Sequence, residues 1–390
     1  MARSQSPARR LPGGEARFEV RDESPGRRPV AFFLPNLTGG GAERVTVNLV
    51  QGMTERQLPV DLVVASARGA FLNQLPPAVR LVDLHASRVL WSLVPLTWYL
   101  RREQPRVLVS SMSHANVIAL WAARLARRTT PVIVTVHNTM SQSTPQQGRL
   151  AEGLWPRLLR MFYPWAASVV AVSQGAADDL ARTAGFPREL VEVVYNPVIT
   201  PSMVAQARQI PDHPWFAPGE PPVILGVGRL TRQKDFPTLL RAFAEVRRER
   251  PLRLMILGEG EERSQLEELA RVLGVSDDVA LPGFQENVMA YLGAADVFVL
   301  SSAWEGLPTV LIEAMAAGTR VVSTDCPSGP REILQHGRLG ALVPVGDAPA
   351  LARTILAALE QPRRAIPPDA LLPFTRDAAV DKYLQLIEDV

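Results

Sequence analysis

Residues 296–318 read DVFVLSSAWEGLPTVLIEAMAAG: an apolar run of strand length, a loop, then a stretch of helical composition that Pro308 opens. Proline is tolerated in a first helical turn because the N–H it lacks would have had no intrahelical acceptor there. The amides of Leu307, Thr309 and Val310 should then point out of a helix N-terminus, where aligned N–H groups and the positive end of the helix dipole attract anions. Gly306 lets a ligand approach the backbone without a Cβ in the way. Glu305 precedes the helix and faces its mouth, while Glu313 falls on the second turn, one layer deeper. Two carboxylates at different depths beside a phosphate site suit a nucleotide sugar, with hexose hydroxyls on one side of the diphosphate and the ribose on the other. The pair also fits an amphipathic helix carrying two solvated acids.

Upstream, residues 222–229 (PVILGVGR) read as a buried strand ending in glycines, followed by LTRQKDFPTLLRAFAEV, a loop and then an apolar pattern of helical period. Arg229 and Lys234 fall at the carboxyl end of that strand, where ligands bind in open parallel sheets. A guanidinium fork and an ammonium point charge there could neutralise a departing diphosphate. Solvated loop cations are the alternative.

Taken together, these segments resemble the C-terminal half of the retaining glycosyltransferases of the glycogen-synthase-like family, family 4. GVGRLTRQKDFPTLLRAF, LMILGEGEERSQLEELA, LPGFQENVMAYLGAADVFVLSSAWEGLPTVLIEAMAAGTRVVSTDCPSGPREIL and GALVPVGD run in the family's order from about residue 222 to residue 347. The resemblance implies a GT-B fold, α/β, with two Rossmann-like domains facing an interdomain cleft. It gives Arg229 and Lys234 the pyrophosphate, Glu305 the donor hexose hydroxyls, Glu313 the ribose, and the amides of Gly306, Leu307, Thr309 and Val310, around Pro308, the sugar and phosphate oxygens.

In the N-terminal half, VAFFL (30–34) is strand-like and NLTGGGAER precedes the helical pattern VTVNLVQGM. Glycines between a strand and a helix N-terminus can cradle phosphate. A nicotinamide-dinucleotide fold would want an acidic residue at the end of the second strand. That strand, residues 60–65, ends in Ser66-Ala67-Arg68, with no acid in place, although an arginine suits a 2′-phosphate. GGGAERV resembles the glycine loop by which the transferase family closes over the donor phosphate and the acceptor site, and Gly40 and Gly41 are the positions carried over. His137 ends the apolar run 132–136 and leads into polar NTMSQSTPQQG, so its imidazole belongs at a strand's carboxyl edge. It could simply cap that strand. In the family a histidine after such a strand lies near the donor hexose and the reaction centre, and His114 in SSMSHAN is a weaker candidate of the same kind.

The chain has 390 residues, 47% of them hydrophobic, which is long for one core and comfortable for two. We expect a basic lead over 1–27, rich in Arg, Pro and Gly and disordered, then an acceptor-side domain at 28–197 and a proline-rich linker at 198–221. A nucleotide-sugar domain at 222–368 and a terminal helix over 369–390, which by resemblance crosses back to the first domain, complete the chain. No apolar run reaches the roughly 18 residues of a membrane span, and residues 1–28 lack a signal-peptide core. The single cysteine, Cys326, fits a reducing compartment and reads as a packing residue rather than a nucleophile. The expected location is therefore cytoplasmic.

Net charge is +3, yet the basic groups cluster. RLAEGLWPRLLRMFYPW (149–165) mixes Arg149, Arg157 and Arg160 with Trp155, Phe162, Tyr163 and Trp165, which suits the interface of an anionic membrane. A second stretch, 89–102, is apolar and ends in two arginines. Ordinary helix packing accounts for either one. No compact basic module points to nucleic acid.

The expected activity is transfer of a hexose or N-acetylhexosamine from a nucleoside-diphosphate sugar to a glycan acceptor, with retention. GGGAERV and TDCPSGPREIL most resemble bacterial transferases that extend lipid-linked or surface glycans. No carboxylate stands out for covalent double displacement, so we expect a front-face, ion-pair-like substitution in which the leaving diphosphate takes the acceptor's proton. No Asp-x-Asp pair is present to hold a divalent metal, and no cofactor is expected. A sugar-nucleotide epimerase of the same architecture, a dinucleotide-dependent oxidoreductase and a non-catalytic nucleotide- or glycan-binding protein remain as alternatives.

Overall fold

The computed structural model describes residues 28–390 apart from 39, 128–129, 138, 140, 142–148 and 364. The basic lead over 1–27 and the Arg149 side chain lie outside the described residues.

Two parallel sheets organise the chain, and the expected α/β class holds in both. The first has the strand order β3-β2-β1-β4-β5-β6-β7. Its strands are β1 (Val30–Leu34), β2 (Val60–Val64), β3 (Arg80–Asp83), β4 (Val107–Ser111), β5 (Val132–Val136), β6 (Ser168–Ala171) and β7 (Val191–Val193). The second has the order β10-β9-β8-β11-β12-β13. It is built from β8 (Val223–Val227), β9 (Arg253–Leu257), β10 (Val279–Gly283), β11 (Val297–Leu300), β12 (Arg320–Thr324) and β13 (Ala341–Val343). The central strands are buried along their whole length, β1, β2, β4, β5 and β11 without a break. A parallel sheet covered on both faces requires this, and it explains why these segments read as apolar runs rather than as alternating ones.

The connecting helices are α1 (Gly41–Glu55), α2 (Leu93–Glu103), α3 (Ser113–Ala126), α4 (Arg149–Phe162), α5 (Gln174–Ala184), α6 (Pro201–Gln206) and α7 (Phe236–Glu249). They continue with α8 (Arg263–Val272), α9 (Val288–Ala294), α10 (Thr309–Ala316), α11 (Pro330–Ile333), α12 (Ala348–Glu360), α13 (Pro368–Leu371) and α14 (Arg376–Glu388). The expected linker residues thus carry α6, which packs on α9. By its contacts the chain divides into one unit of Met1–Val136, Leu159–Val169 and Gln385–Val390, and a second of His137–Leu158 and Val170–Leu384.

Strand order reverses direction in each sheet at one place, between β1 and β4 in the first and between β8 and β11 in the second. Such a reversal sends the two flanking connections to opposite faces and leaves a crevice at the carboxyl ends of the two strands, where ligands bind in this architecture. In the second sheet β8 and β11 are paired in parallel through Val297 with Ile224 and Phe298 with Leu225. Arg229 and Lys234 follow the first of these strands and Glu305 follows the second. In the first sheet Gly40 and Gly41 follow β1, and His114 follows β4.

Candidate active site

Two loops meet at the β8/β11 crevice, and hydrogen bonds to main-chain carbonyls fasten one to the other. Ala303 N donates to Gln233 O at 2.8 Å, and Ser301 Oγ donates to Lys234 O at 2.7 Å. This brings Lys234 onto Glu305, with Nζ 2.6 Å from Oε1. The same Oε1 accepts from Ser302 Oγ at 2.7 Å, whereas among the described residues Oε2 accepts from Gln233 Nε2 alone, at 3.4 Å. Oε1 is therefore saturated, and Oε2 retains acceptor capacity. The ammonium has three donors, so two remain for other oxygens. Glu305 is 6% exposed, and a carboxylate at that depth needs a charged partner to remain ionised. Arg229 differs from Lys234: it is exposed, with no ion pair among the described residues.

The helix behind Glu305 begins one residue later than expected. Pro308 is the N-cap, with φ −71° and ψ 94°, and α10 starts at Thr309. Leu307 and Val310 are buried in the core of the second sheet. The amides of Thr309 and Val310 remain in a first turn, ahead of any intrahelical acceptor. Glu313 lies on the second turn, half-buried, as the spacing predicted.

Three hydroxyls invisible to motif reading hold the Glu305-Gly306 backbone. Thr139 Oγ1 donates to Glu305 O at 3.2 Å, and Ser173 Oγ and Ser328 Oγ donate to Gly306 O at 2.8 and 2.9 Å. The Glu305 amide is itself bonded to Pro327 O at 2.7 Å. Gly329, at φ +97°, is required by this packing, since a Cβ there would lie 2.5 Å from Pro308 Cδ. Glu332 of the same GPRE turn accepts from Gln174 N at 3.0 Å and from Tyr195 OH at 3.3 Å, and burial raises its pKa above the usual carboxylate value. The Cys326 thiol is pushed up to about 12, by burial and then by the Glu305 carboxylate, so it stays protonated and packs.

His137 lies two residues before Thr139, immediately after β5. Its Nε2 is buried with no hydrogen-bond partner among the described residues, and burial lowers its pKa to about 4. The imidazole is neutral at pH 7 and can offer one nitrogen to a ligand oxygen. Because the unfolded value is 6.5, the unfolded chain binds more protons than the folded one between about pH 6.5 and pH 4. Stability is thus full above pH 6.5 and declines as pH falls toward 4, by roughly 3 kcal/mol from this residue alone. His137→Gln is expected to flatten that decline in urea titrations run at pH 7 and pH 5. An identical pH dependence in parent and variant would show that the decline originates elsewhere.

In the first sheet, Gly40 is the N-cap of α1 and a side chain there would run into the Glu43 carboxylate, while nothing lies within 4 Å of a Cβ at Gly41. Glu43 stands in the first turn, where its charge offsets part of the helix's positive end. His114 is exposed in the first turn of α3.

The aromatic half of the expected membrane face at 149–165 turns inward. Phe162 and Tyr163 are buried, and Trp165 packs edge-on against Trp121 of α3 with ring centroids 5.2 Å apart. Packing against α3 decides this, and of the stretch's described side chains Arg157, Arg160, Met161 and Pro164 are exposed.

Two family models match the chain, Glycosyltransferase Family 4 over residues 39–200 and Glycosyl transferases group 1 over residues 209–368. The lipopolysaccharide core biosynthesis glycosyltransferase LpsE of Rhizobium meliloti is 32% identical over 358 residues, 89% of this chain and 96% of that protein. An N-acetylgalactosaminyltransferase of Campylobacter jejuni that acts on an N-acetylgalactosamine-N,N′-diacetylbacillosaminyl-diphospho-undecaprenol is 31% identical over 206 residues, 52% of this chain and 53% of that one. Among solved structures, HepE of Anabaena in complex with UDP and glucose superposes with a TM-score of 0.70 at 21% identity, over 93% of this chain and 97% of its own.

Proposed function

The chain belongs to the group 1 and family 4 glycosyltransferases, with their two Rossmann-like domains of GT-B type, and from that membership we propose that it transfers a hexose or N-acetylhexosamine from a nucleoside-diphosphate sugar to a glycan acceptor with retention at the anomeric carbon. The observation that carries this reading is the Lys234–Glu305 contact at the β8/β11 switch point, with exposed Arg229 after the same strand as Lys234. Arg229 and Lys234 take the diphosphate, together with the first-turn amides of α10. Oε2 of Glu305 takes a hexose hydroxyl, Glu313 the ribose, and Nε2 of His137, without a partner among the described residues, a further oxygen near the anomeric carbon. With Glu43 already at the end of α1, Gly40 and Gly41 serve the acceptor side better than a phosphate. Residues 28–197 are the acceptor-side part in this reading and 222–368 the donor-side part, joined by 198–221 and closed by the terminal helix.

In the reaction, the acceptor oxygen bonds to the anomeric carbon on the face from which the diphosphate departs. The C–O bond to phosphate breaks first, and the departing phosphate oxygen receives the acceptor's proton. The developing charge falls where Lys234 and Arg229 stand, so these cations bind the transition state more tightly than the ground state.

The named relatives support a place in bacterial surface-polysaccharide or lipopolysaccharide synthesis, with a lipid-linked acceptor at the cytoplasmic face of the membrane. Neither an epimerase nor a mere binding protein is favoured.

In this reading the charge that a metal would neutralise is met by Arg229 and Lys234. Transfer is therefore expected to continue in EDTA. Nucleoside-diphosphate release, followed with and without chelator, is the assay, and a loss restored by Mg²⁺ or Mn²⁺ would overturn metal independence.

A further inference from the structure

The apolar stretch 89–102 does not pack away. Leu90, Trp91 and Val94 are 63, 64 and 75% exposed, and Trp98 is 38% exposed. They fall on one side of the 3₁₀ turn Val89–Ser92 and of α2, and the stripe continues to Arg102, whose guanidinium lies 5.2 Å from the Trp98 ring centroid. On α3, packed alongside α2, Trp121 and Leu125 are 37 and 43% exposed. Arg101 donates to Leu125 O at 2.6 Å, which sets the Trp98–Arg102 end of one stripe level with Leu125 on the other. Monomeric proteins rarely show so many large apolar side chains together. Three of them are tryptophans, whose rings favour the depth of lipid headgroups.

Charge supplies the second, independent observation. Residues 84–177 hold ten arginines and no lysine, against two acidic residues, Glu103 and Glu152. Glu103 is occupied by Arg80 at 2.9 Å and by Arg102 Nε at 3.4 Å, which leaves the rest of the Arg102 fork for other anions. Arg88, Arg101, Arg102, Arg124 and Arg127 are exposed around the apolar stripes. Arg124 and Arg127 also line an open pocket of about 490 Å³ beside Trp165, over whose ring the Arg124 guanidinium lies at 4.7 Å. An apolar surface bordered by cations and nearly free of carboxylates is complementary to an anionic bilayer. The aromatic and aliphatic groups enter the headgroup layer while the guanidinium groups stay at phosphate level. A second copy of this chain would bring the same arginines against one another.

We propose that the outer face formed by Val89–Ser92, α2 and α3 is the surface by which this protein lies on an anionic membrane, with Leu90, Trp91, Val94 and Trp98 inserted and the arginines on lipid phosphates. It deepens the lipid-linked-acceptor reading and rests on it for its purpose.

The full chain is sedimented with vesicles of phosphatidylcholine alone and with phosphatidylglycerol added. Binding to the anionic vesicles, weakened by salt, is expected, with little to the neutral ones. The double variant Trp91→Ser/Val94→Ser, altered only at exposed positions, should bind the anionic vesicles about tenfold more weakly or less still. Arg157→Glu/Arg160→Glu, on α4, should change binding far less. Brominated acyl chains should quench the parent's tryptophan fluorescence and quench the double variant less. Unchanged binding by the double variant would overturn the proposal. So would equal binding to both vesicle types, or an ultracentrifugation dimer that the double variant abolishes, since the face would then be a subunit contact. Nucleoside-diphosphate binding is measured in the same samples. Vesicle binding without nucleotide binding would sink the transferase reading and leave this face standing, and nucleotide binding with no preference for anionic vesicles would do the reverse.

Discussion

Lys234→Ala and Arg229→Ala are each expected to lower kcat on the order of 10²–10³-fold, the cost of removing one preorganised donor to a developing oxyanion, with a much smaller change in KM for the sugar nucleotide. The two variants should part company in stability. Lys234 is 16% exposed and 2.6 Å from the Glu305 carboxylate, itself 8% exposed by side chain. Removing the ammonium leaves that carboxylate buried with Ser302 and a distant Gln233, and an orphaned charge of this kind costs about 3 kcal/mol. Arg229 is exposed and takes part in no such pair, so its loss should fall within about 0.5 kcal/mol of the parent. Steady-state kinetics and urea denaturation of the two purified variants check both halves. A rise in KM with kcat unchanged would remove the leaving-group role, and equal destabilisation would mean that the ion pair does not matter to folding.

Glu305→Gln is expected to act on the sugar rather than on the nucleotide. The amide keeps the carboxylate's shape, and its oxygen can keep the Lys234 and Ser302 hydrogen bonds, but its nitrogen donates where Oε2 accepted and the charge is gone, a loss of about 1.5–3 kcal/mol, or roughly 10–100-fold in kcat/KM. It also releases Lys234 from its counterion, so the free nucleoside diphosphate should bind as well as before or more tightly. Calorimetric titration with the nucleoside diphosphate and with its sugar conjugate separates these effects. An equal loss of affinity for both ligands would place Glu305 on the nucleotide side and contradict the assignment.

These residues were legible because the strand–loop–helix grammar of an open parallel sheet is written locally. An apolar run, a loop with glycine and a helix beginning beside a proline placed Arg229, Lys234 and Glu305 at strand ends and Glu313 on the second helical turn without any knowledge of the neighbours. What the sequence withheld is non-local. Thr139, Ser173 and Ser328 sit 166, 133 and 22 residues from the carbonyls they hold, and a lone serine or threonine gives no signal of such a bond. The difference between Arg229 and Lys234 was equally invisible, since it depends on the Ser301–Lys234 and Ala303–Gln233 hydrogen bonds that turn the second loop toward the first. For the aromatic stripe of 149–165 the sequence left a membrane face and ordinary helix packing both open, for the same reason. Phe162 and Trp165 pack inward against Trp121, which lies on another helix and some forty residues away, and local composition carries no sign of that contact.

The claim on which the rest depends is that the carboxyl ends of β8 and β11 form a nucleoside-diphosphate-sugar site. Isothermal titration of the parent chain and of Glu313→Ala with UDP, GDP, ADP and dTDP tests it most directly. One of the four is expected to bind the parent in a 1:1 complex in the micromolar range, and loss of the ribose contact to weaken it about tenfold or more. Failure of all four to bind the parent, or equal affinity in parent and variant, would contradict it.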